Sequence, residues 1–138
     1  MLIKTLLGHK TLLVGVVIYT ILITLASLYR FVVSPFALNF DNSDKVLHFI
    51  SYFIFEIIWF FFLYFSTRIS MNWKRGLWVS GVICFVYGIL MELVQGFLTT
   101  YRSMDWKDAI ANTTGIVFAV IILIISSSVL FRLKEKLL

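Results

Sequence analysis

The sequence predicts an all-α integral membrane protein, folded as an antiparallel four-helix bundle with both termini in the cytoplasm. The chain is 61% hydrophobic and 14% charged, whereas a soluble protein carries roughly 25% charged residues. Its mean hydropathy is +0.99. Four long apolar runs are separated by short polar connections, and a run of about 20 apolar residues is what a helix needs to cross a bilayer.

The four runs place the helices at about 11–30, 46–66, 76–98 and 109–131. The first run exceeds the apolar region of about 7–15 residues found in a signal peptide, so we expect it to be retained as a helix. Pro35 falls in the first connection, where it disfavours helix in the residue before it. With no repeat or linker in view, residues 1–138 are predicted to form a single transmembrane domain.

Basic residues predict the orientation. Eight of the twelve lie in the N-terminus, the second connection and the tail, and four lie on the other side of the predicted membrane. By the positive-inside rule, both termini are cytoplasmic and the polar first and third connections face outward. Basic residues that flank apolar helices indicate orientation beside membrane lipids, and we expect no nucleic-acid partner.

Three predicted helices carry polar stripes, although a charge at the centre of a membrane costs about 2.5–3.5 kcal/mol. The stripes recur at helical spacing and are Asp44, His48, Tyr52 and Glu56; Gly81, Gly88, Glu92 and Gln95; and Asp105, Asp108, Asn112 and Gly115. Because lipid-facing stripes of this kind are unfavourable, we expect them to converge in an outward-facing polar pocket. Its predicted ligand-binding residues are Asp44, Lys45, His48, Tyr52, Glu92, Gln95, Arg102, Asp105, Asp108 and Asn112. The alternative is a network of interhelical hydrogen bonds that stabilises the bundle.

His48 and Glu92 are the candidate catalytic residues, as an acid–base pair. Asp44 lies one turn before His48, where it could orient the imidazole. A metal site built from His48, Glu92 and Asp108 has no compact motif behind it, so the sequence predicts neither a metal nor a cofactor.

Two further polar groups lie deeper. Cys84, the single cysteine, is expected to be a small residue that faces lipid or a neighbouring helix. Glu56 is expected to pair with Tyr52 or with a side chain on the third or fourth helix. Small residues such as Gly81 and Gly88 would let helices approach closely.

Two blocks of motifs resemble the VanZ-like family over roughly 44–115. The first is DKVLHF at 44–49, followed by Tyr52; the second is E-x-x-Q at Glu92, then Arg102, D-x-x-D at Asp105, and N-x-x-G at Asn112. One departure is the absence of a proline or other turn former at 99–101, before the arginine. The resemblance implies a small multi-pass protein of the bacterial cytoplasmic membrane, in a family whose named member is tied to resistance to the glycopeptide teicoplanin.

Two functions follow as hypotheses. In the favoured one, the pocket binds a cell-envelope ligand, either an anionic lipid headgroup, a wall precursor or a lipoglycopeptide, and so contributes to glycopeptide resistance. Arg102 and Lys45 would hold its carboxylate or phosphate. In the alternative, the protein is a membrane-embedded enzyme that uses His48 and Glu92 on a lipid-linked envelope substrate. A transporter ranks last, because four helices are few and no pair of discontinuous helices is visible.

Overall fold

The structure, a computed structural model, describes residues 7–28, 43–98 and 105–137 and folds them into five helices. They are α1 (His9–Leu28), α2 (Ser43–Phe65), α3 (Trp73–Leu98), α4 (Trp106–Ile125) and α5 (Ser127–Leu137). The helices α1 to α4 are long and apolar enough to cross a membrane. The predicted all-α fold with four spans is therefore confirmed, while the cytoplasmic position of the termini stays a prediction.

Each spanning helix begins two or three residues before its predicted start, because polar residues form its first turn. Before α3, Oδ1 of Asn72 accepts a hydrogen bond from the backbone N–H of Arg75 at 2.9 Å. Before α4, Oδ1 of Asp105 accepts one from the backbone N–H of Lys107 at 2.9 Å. Such caps satisfy donors that a helix leaves unpaired in its first turn. Hydropathy detects the apolar part of a helix and misses this capped turn.

The prediction that the fourth helix extends to residue 131 is wrong. The helix α4 ends at Ile125, and α5 follows as a separate helix that is polar on average. Between them, the backbone N–H of Ser126 donates to the carbonyl of Ile122 at 2.9 Å, and the Ser126 carbonyl accepts from the N–H of Leu130 at 3.1 Å. Serine favours such a boundary because its hydroxyl competes for backbone hydrogen bonds.

Contacts between distant residues show that the four spans alternate in direction. The contacts join His9 to Ser66, Ser27 to Gln95, and Lys45 to both Asp105 and Asp108. One end of the bundle therefore holds the starts of α2 and α4 and the ends of α1 and α3, and we call it the carboxylate end. The opposite end, which also holds α5, is called the basic end.

At the basic end, an aromatic cluster fills the interior. The cluster consists of Phe60, Tyr64, Trp73 and Phe131, and the ring centroids of Trp73 lie 4.9 Å from Phe60, 5.3 Å from Tyr64 and 4.9 Å from Phe131. The ammonium of Lys134 lies 3.9 Å from the centroid of the Tyr64 ring, a cation–π contact. The tail helix α5 is thereby held against the α2–α3 connection.

Near the carboxylate end, α2 and α4 touch through their backbones. A Cβ atom on Gly115 would overlap the carbonyl oxygen of Phe49, so no other residue fits there without moving a helix. Gly88 of α3 makes a similar approach, since a Cβ there would lie 3.0 Å from the ring of Tyr52. The predicted role of Gly81 in close helix approach is wrong, because a Cβ there would meet nothing within 4 Å.

Candidate functional site

The polar stripes of α2, α3 and α4 meet at the carboxylate end. Helical spacing places Asp44, Lys45 and His48 near the start of α2, where side chains four residues apart share a face. The chain alternates direction, so the end of α3 brings Glu92 to the same level and the start of α4 brings Asp108. Arg102, the remaining cation predicted for this site, lies outside the described residues.

A buried hydrogen-bond network links three of the predicted residues. Nδ1 of His48 lies 3.0 Å from Oδ1 of Asn112, and Nδ2 of Asn112 donates to Oε1 of Glu92 at 3.2 Å. His48 is 7% exposed, and Asn112 and Glu92 are each 2% exposed. Each helix from α2 to α4 supplies one member, which no single-helix motif can show.

The network determines which nitrogen of His48 carries the proton. Because the Asn112 amide nitrogen donates to Glu92, its oxygen is the group that faces the imidazole. Oxygen can only accept, so Nδ1 of His48 carries a hydrogen and donates it. In the neutral ring, Nε2 therefore keeps an open lone pair.

The sequence predicted that Asp44 orients the ring, but the structure gives that role to Asn112. Nε2 of His48 lies 3.9 Å from Oδ1 of Asp44 and 3.7 Å from Oδ2 of Asp108, both longer than a hydrogen bond. Glu92 is the other member of the candidate acid–base pair. Its Oε1 lies 3.8 Å from Nδ1 of His48, the nitrogen that is already bonded to Asn112. Donor atoms of Asp44, His48 and Asp108 lie within 4.8 Å of one another and could hold a metal ion.

Charged residues form a rim around this network. Nζ of Lys45 lies 3.5 Å from Oδ2 of Asp105 and 3.4 Å from Oδ1 of Asp108. The pKa of the Asp105 carboxyl lies below its ordinary range, because it accepts the backbone N–H of Lys107 and lies beside Lys45. Lys45 is thus already paired with two carboxylates, which weakens its predicted role as the cation for an anionic ligand.

Two predicted residues lie beside the network and pack between helices. Tyr52 is 1% exposed and lies against Gly88 and Phe55. Gln95 is 2% exposed, and its side-chain nitrogen donates to the backbone carbonyl of Ser27 at 2.8 Å. This bond fixes the end of α1 against α3. The structure therefore gives Gln95 a contact that positions α1.

Deeper in the bundle, the structure reveals a polar group whose partners the sequence left open. Glu56 is fully buried, and Oγ of Ser80 donates to its Oε1 at 2.5 Å. Cys84, one turn after Ser80 on α3, lies near this carboxyl. Cys84 is fully buried and faces a neighbouring helix, which is one of the two settings that the sequence predicted. The four-residue spacing of Ser80 and Cys84 on α3 was the available signal, but two small side chains in an apolar run attract little notice.

Comparisons with known proteins agree with this architecture. The sequence model of the VanZ/LLP1 family matches residues 8–130. An uncharacterized protein of Schizosaccharomyces pombe, C11E3.10, is 33% identical over 87 residues, which cover 62% of this chain and 49% of that protein. The chain thus spans about half the length of this curated relative. No solved structure matches the chain. With most of its length matched by the family model, and with four helices suited to crossing a membrane, the chain belongs to the VanZ/LLP1 family.

Proposed function

We propose that this protein binds the polar, anionic part of a lipid or lipid-linked envelope ligand at its carboxylate end. The observation that carries the proposal is the buried network of His48, Asn112 and Glu92, capped by the charged rim. Polar and ionisable groups at membrane depth are expensive, and they usually mark a site rather than simple packing.

Bundle stability alone is a weak explanation for this network. Interhelical hydrogen bonds in one measured membrane protein averaged about 0.6 kcal/mol each, a modest return for burying a histidine, an amide and a carboxylate. The backbone contact at Gly115 and the aromatic cluster already hold the helices together. The network is therefore better explained by a ligand that it faces.

The ligand's chemistry is argued from the charges available. Lys45 is engaged with Asp105 and Asp108, so Arg102 is the cation we assign to the ligand, since its planar guanidinium suits a phosphate or a carboxylate. We place a phosphate-bearing lipid headgroup before a wall precursor or a lipoglycopeptide, because a similar sequence also occurs outside bacteria, in Schizosaccharomyces pombe. A contribution to glycopeptide resistance follows if the bound ligand proves to be a wall precursor.

We also propose that the carboxylate end faces outward from a bacterial cytoplasmic membrane. The distribution of basic residues supports this orientation, because seven of the twelve lie in the described part of the basic end. Cysteines introduced one at a time at Thr99 and at Glu135, in a Cys84→Ala background, should react with a membrane-impermeant thiol reagent on opposite sides. Labelling of residue 135 in intact cells would refute the orientation.

Native mass spectrometry of the purified protein in gentle detergent tests the ligand. The wild type should carry a lipid or lipid-linked adduct, and Arg102→Ala should lose most of it. Arg132→Ala is the matched control, because it removes the same charge from the exposed face of α5 at the opposite end. A wild-type protein without a specific adduct, or equal loss in both variants, would refute the proposed binding site.

A second function, the membrane-embedded enzyme, is favoured by one observation. With Nδ1 bonded to Asn112, His48 turns its open Nε2 lone pair towards the rim, the arrangement a general base needs. Glu92 then acts as a positioning residue through Asn112. Incubation of the purified protein with a panel of envelope lipids should show conversion that disappears in His48→Gln. Unchanged lipids across the panel would leave the binding function standing alone.

A further inference from the structure

The imidazole of His48 points its open nitrogen at two carboxylates. The residue is 7% exposed, and its Nδ1 is bonded to Asn112. Nε2 makes no hydrogen bond to any residue that the structure describes, because its carboxylate neighbours lie at 3.7 and 3.9 Å. An imidazole fixed through Nδ1–H with Nε2 open is how a histidine is commonly oriented towards a metal ion.

These separations suit a shared ion better than a direct bond. Ligand atoms about 2.0–2.6 Å from a divalent ion, at angles between octahedral and tetrahedral, lie roughly 3–4 Å apart. The two distances from Nε2 fall in that range, and all three donor atoms lie within 4.8 Å of one another. The Asp44 side chain is 47% exposed, so the set is open on that side.

The charges around Nε2 also favour a cation. The carboxylates of Asp44 and Asp108 both approach this nitrogen. Asp108 divides its two oxygens, with Oδ1 towards Lys45 and Oδ2 towards His48. An ion at Nε2 would therefore meet a carboxylate oxygen that the lysine does not use.

From this geometry we infer that Asp44, His48 and Asp108 bind one divalent metal ion. One imidazole with two carboxylates is a mixed nitrogen and oxygen set, which suits Mn²⁺ or Zn²⁺. The site has three protein ligands and is open beside the partly exposed side chain of Asp44. Coordination positions therefore remain for an oxygen atom of a bound ligand. The sequence had offered Glu92 as the third member of this set. The structure replaces it with Asp44, because Glu92 lies on the Nδ1 side of the ring.

The inference deepens the proposed function. Its claim that the ion recruits an anionic ligand rests on that function. A bound ion would supply the positive charge that Lys45, paired with Asp105 and Asp108, does not offer to an anionic headgroup. The ligand's phosphate or carboxylate oxygen would then complete the coordination. An ion on Nε2 also takes the lone pair needed for proton transfer, so His48 serves as a ligand while the ion is bound.

The first test measures metal binding directly. The full-length protein in detergent is treated with EDTA, desalted and titrated with Mn²⁺, while electron paramagnetic resonance follows the signal of the free ion. We expect uptake of about one Mn²⁺ per chain, displaced by Zn²⁺, with a ¹⁴N coupling from one imidazole. His48→Gln keeps a donor for Asn112 and should abolish that coupling. His48→Gln and Asp108→Asn should each weaken Mn²⁺ binding about tenfold or more.

The matched control is Glu135→Gln, which removes an exposed carboxylate from α5 at the opposite end and leaves the three ligands intact. It should bind Mn²⁺ within about threefold of wild type, well short of the tenfold loss expected for a ligand. Uptake of neither Mn²⁺ nor Zn²⁺ by wild type, a bound ion without nitrogen coupling, or equal loss in Glu135→Gln and Asp108→Asn would each overturn the site.

The second test separates the ion from the proposed function. Native mass spectrometry is repeated on protein stripped with EDTA and on protein reloaded with Mn²⁺. An adduct that appears after reloading supports the ion as the group that recruits the ligand. An adduct unaffected by EDTA overturns that recruitment and leaves the binding function intact. Metal uptake without any adduct retains the metal site and refutes the binding function.

Discussion

At the carboxylate end the interior of the bundle is polar, whereas at the basic end it is aromatic. His48, Glu92 and Asn112 fill the first interior with hydrogen-bonding groups, while Phe60 and Trp73 fill the second with rings in edge contact. The helices α2 and α3 contribute to both interiors, together with α4 at the carboxylate end and with α5 at the basic end. The bundle thus separates an aromatic cluster from a buried polar network by depth.

The two interiors are expected to contribute differently to stability and to binding. In a membrane, helices associate chiefly through close packing, since lipid tails are as apolar as a leucine side chain. Rings and backbone contacts provide such packing, and buried charges oppose it. We therefore expect substitutions in the aromatic cluster to change stability without changing binding, and substitutions in the polar network to change binding more than stability.

Phe60→Ala should have the largest effect on stability. The ring is fully buried between α2 and α3, and its removal leaves a cavity beside Trp73. We expect a loss of roughly 3 kcal/mol, at the low end of the range for such substitutions in soluble proteins. Thermal unfolding in detergent measures it, with Phe85→Ala as the control, because Phe85 is 46% exposed on α3. Equal losses in both variants would contradict the role of the aromatic cluster.

Gly115→Ala should follow, since its Cβ would overlap the backbone of Phe49 and push α2 from α4. The expected cost is roughly 1–3 kcal/mol, the range for overpacking. Because the displaced helices carry His48 and Asn112, binding should fall as well. Gly81→Ala is the matched control with open space around the added methyl group. If Gly115→Ala were as stable as Gly81→Ala, the close α2–α4 contact would be refuted.

Asn112→Leu should affect recognition more than stability. It leaves Nδ1–H of buried His48 without its acceptor, a penalty of about 1–3 kcal/mol in a soluble core and less in a membrane bundle. Retention of the adduct and of Mn²⁺ should drop sharply. The control is Thr114→Val on the same helix, whose hydroxyl bonds only the backbone of α4. Binding that survives Asn112→Leu would show that the orientation of His48 is unimportant.

The smallest effect concerns pH and the cap of α4. The folded-state pKa of Asp105 is depressed below the ordinary 3.8, so its stabilising contribution is present above that value and is lost as pH falls through the folded pKa. In Asp105→Asn the amide still caps the helix but does not titrate. The drop in melting temperature between pH 6 and pH 3 should be slightly smaller in the variant than in wild type. A larger drop in the variant would reverse the sign.

The four spans and the polar stripes on α2, α3 and α4 follow from the amino-acid sequence alone. Apolar length sets a span and a period of 3.6 residues sets a face, so both are properties of one segment at a time. This is why Glu92 and Asp108 could be assigned to a shared level before any contact was known. It is also why the start of α3 was missed, because the cap at Asn72 lies outside the apolar run.

Which residues of the stripes contact one another depends on how the helices pack. Periodicity fixes where a side chain lies around its own helix, but not how neighbouring helices rotate or slide against one another. The packing of α2 on α4 at Gly115 sets that register, and it gives His48 to Asn112 where local spacing had offered Asp44. The same register turns Lys45 towards Asp105 and Asp108 and brings Glu56 to Ser80. Contacts between helices depend on all of their side chains at once, which no single stretch of sequence contains.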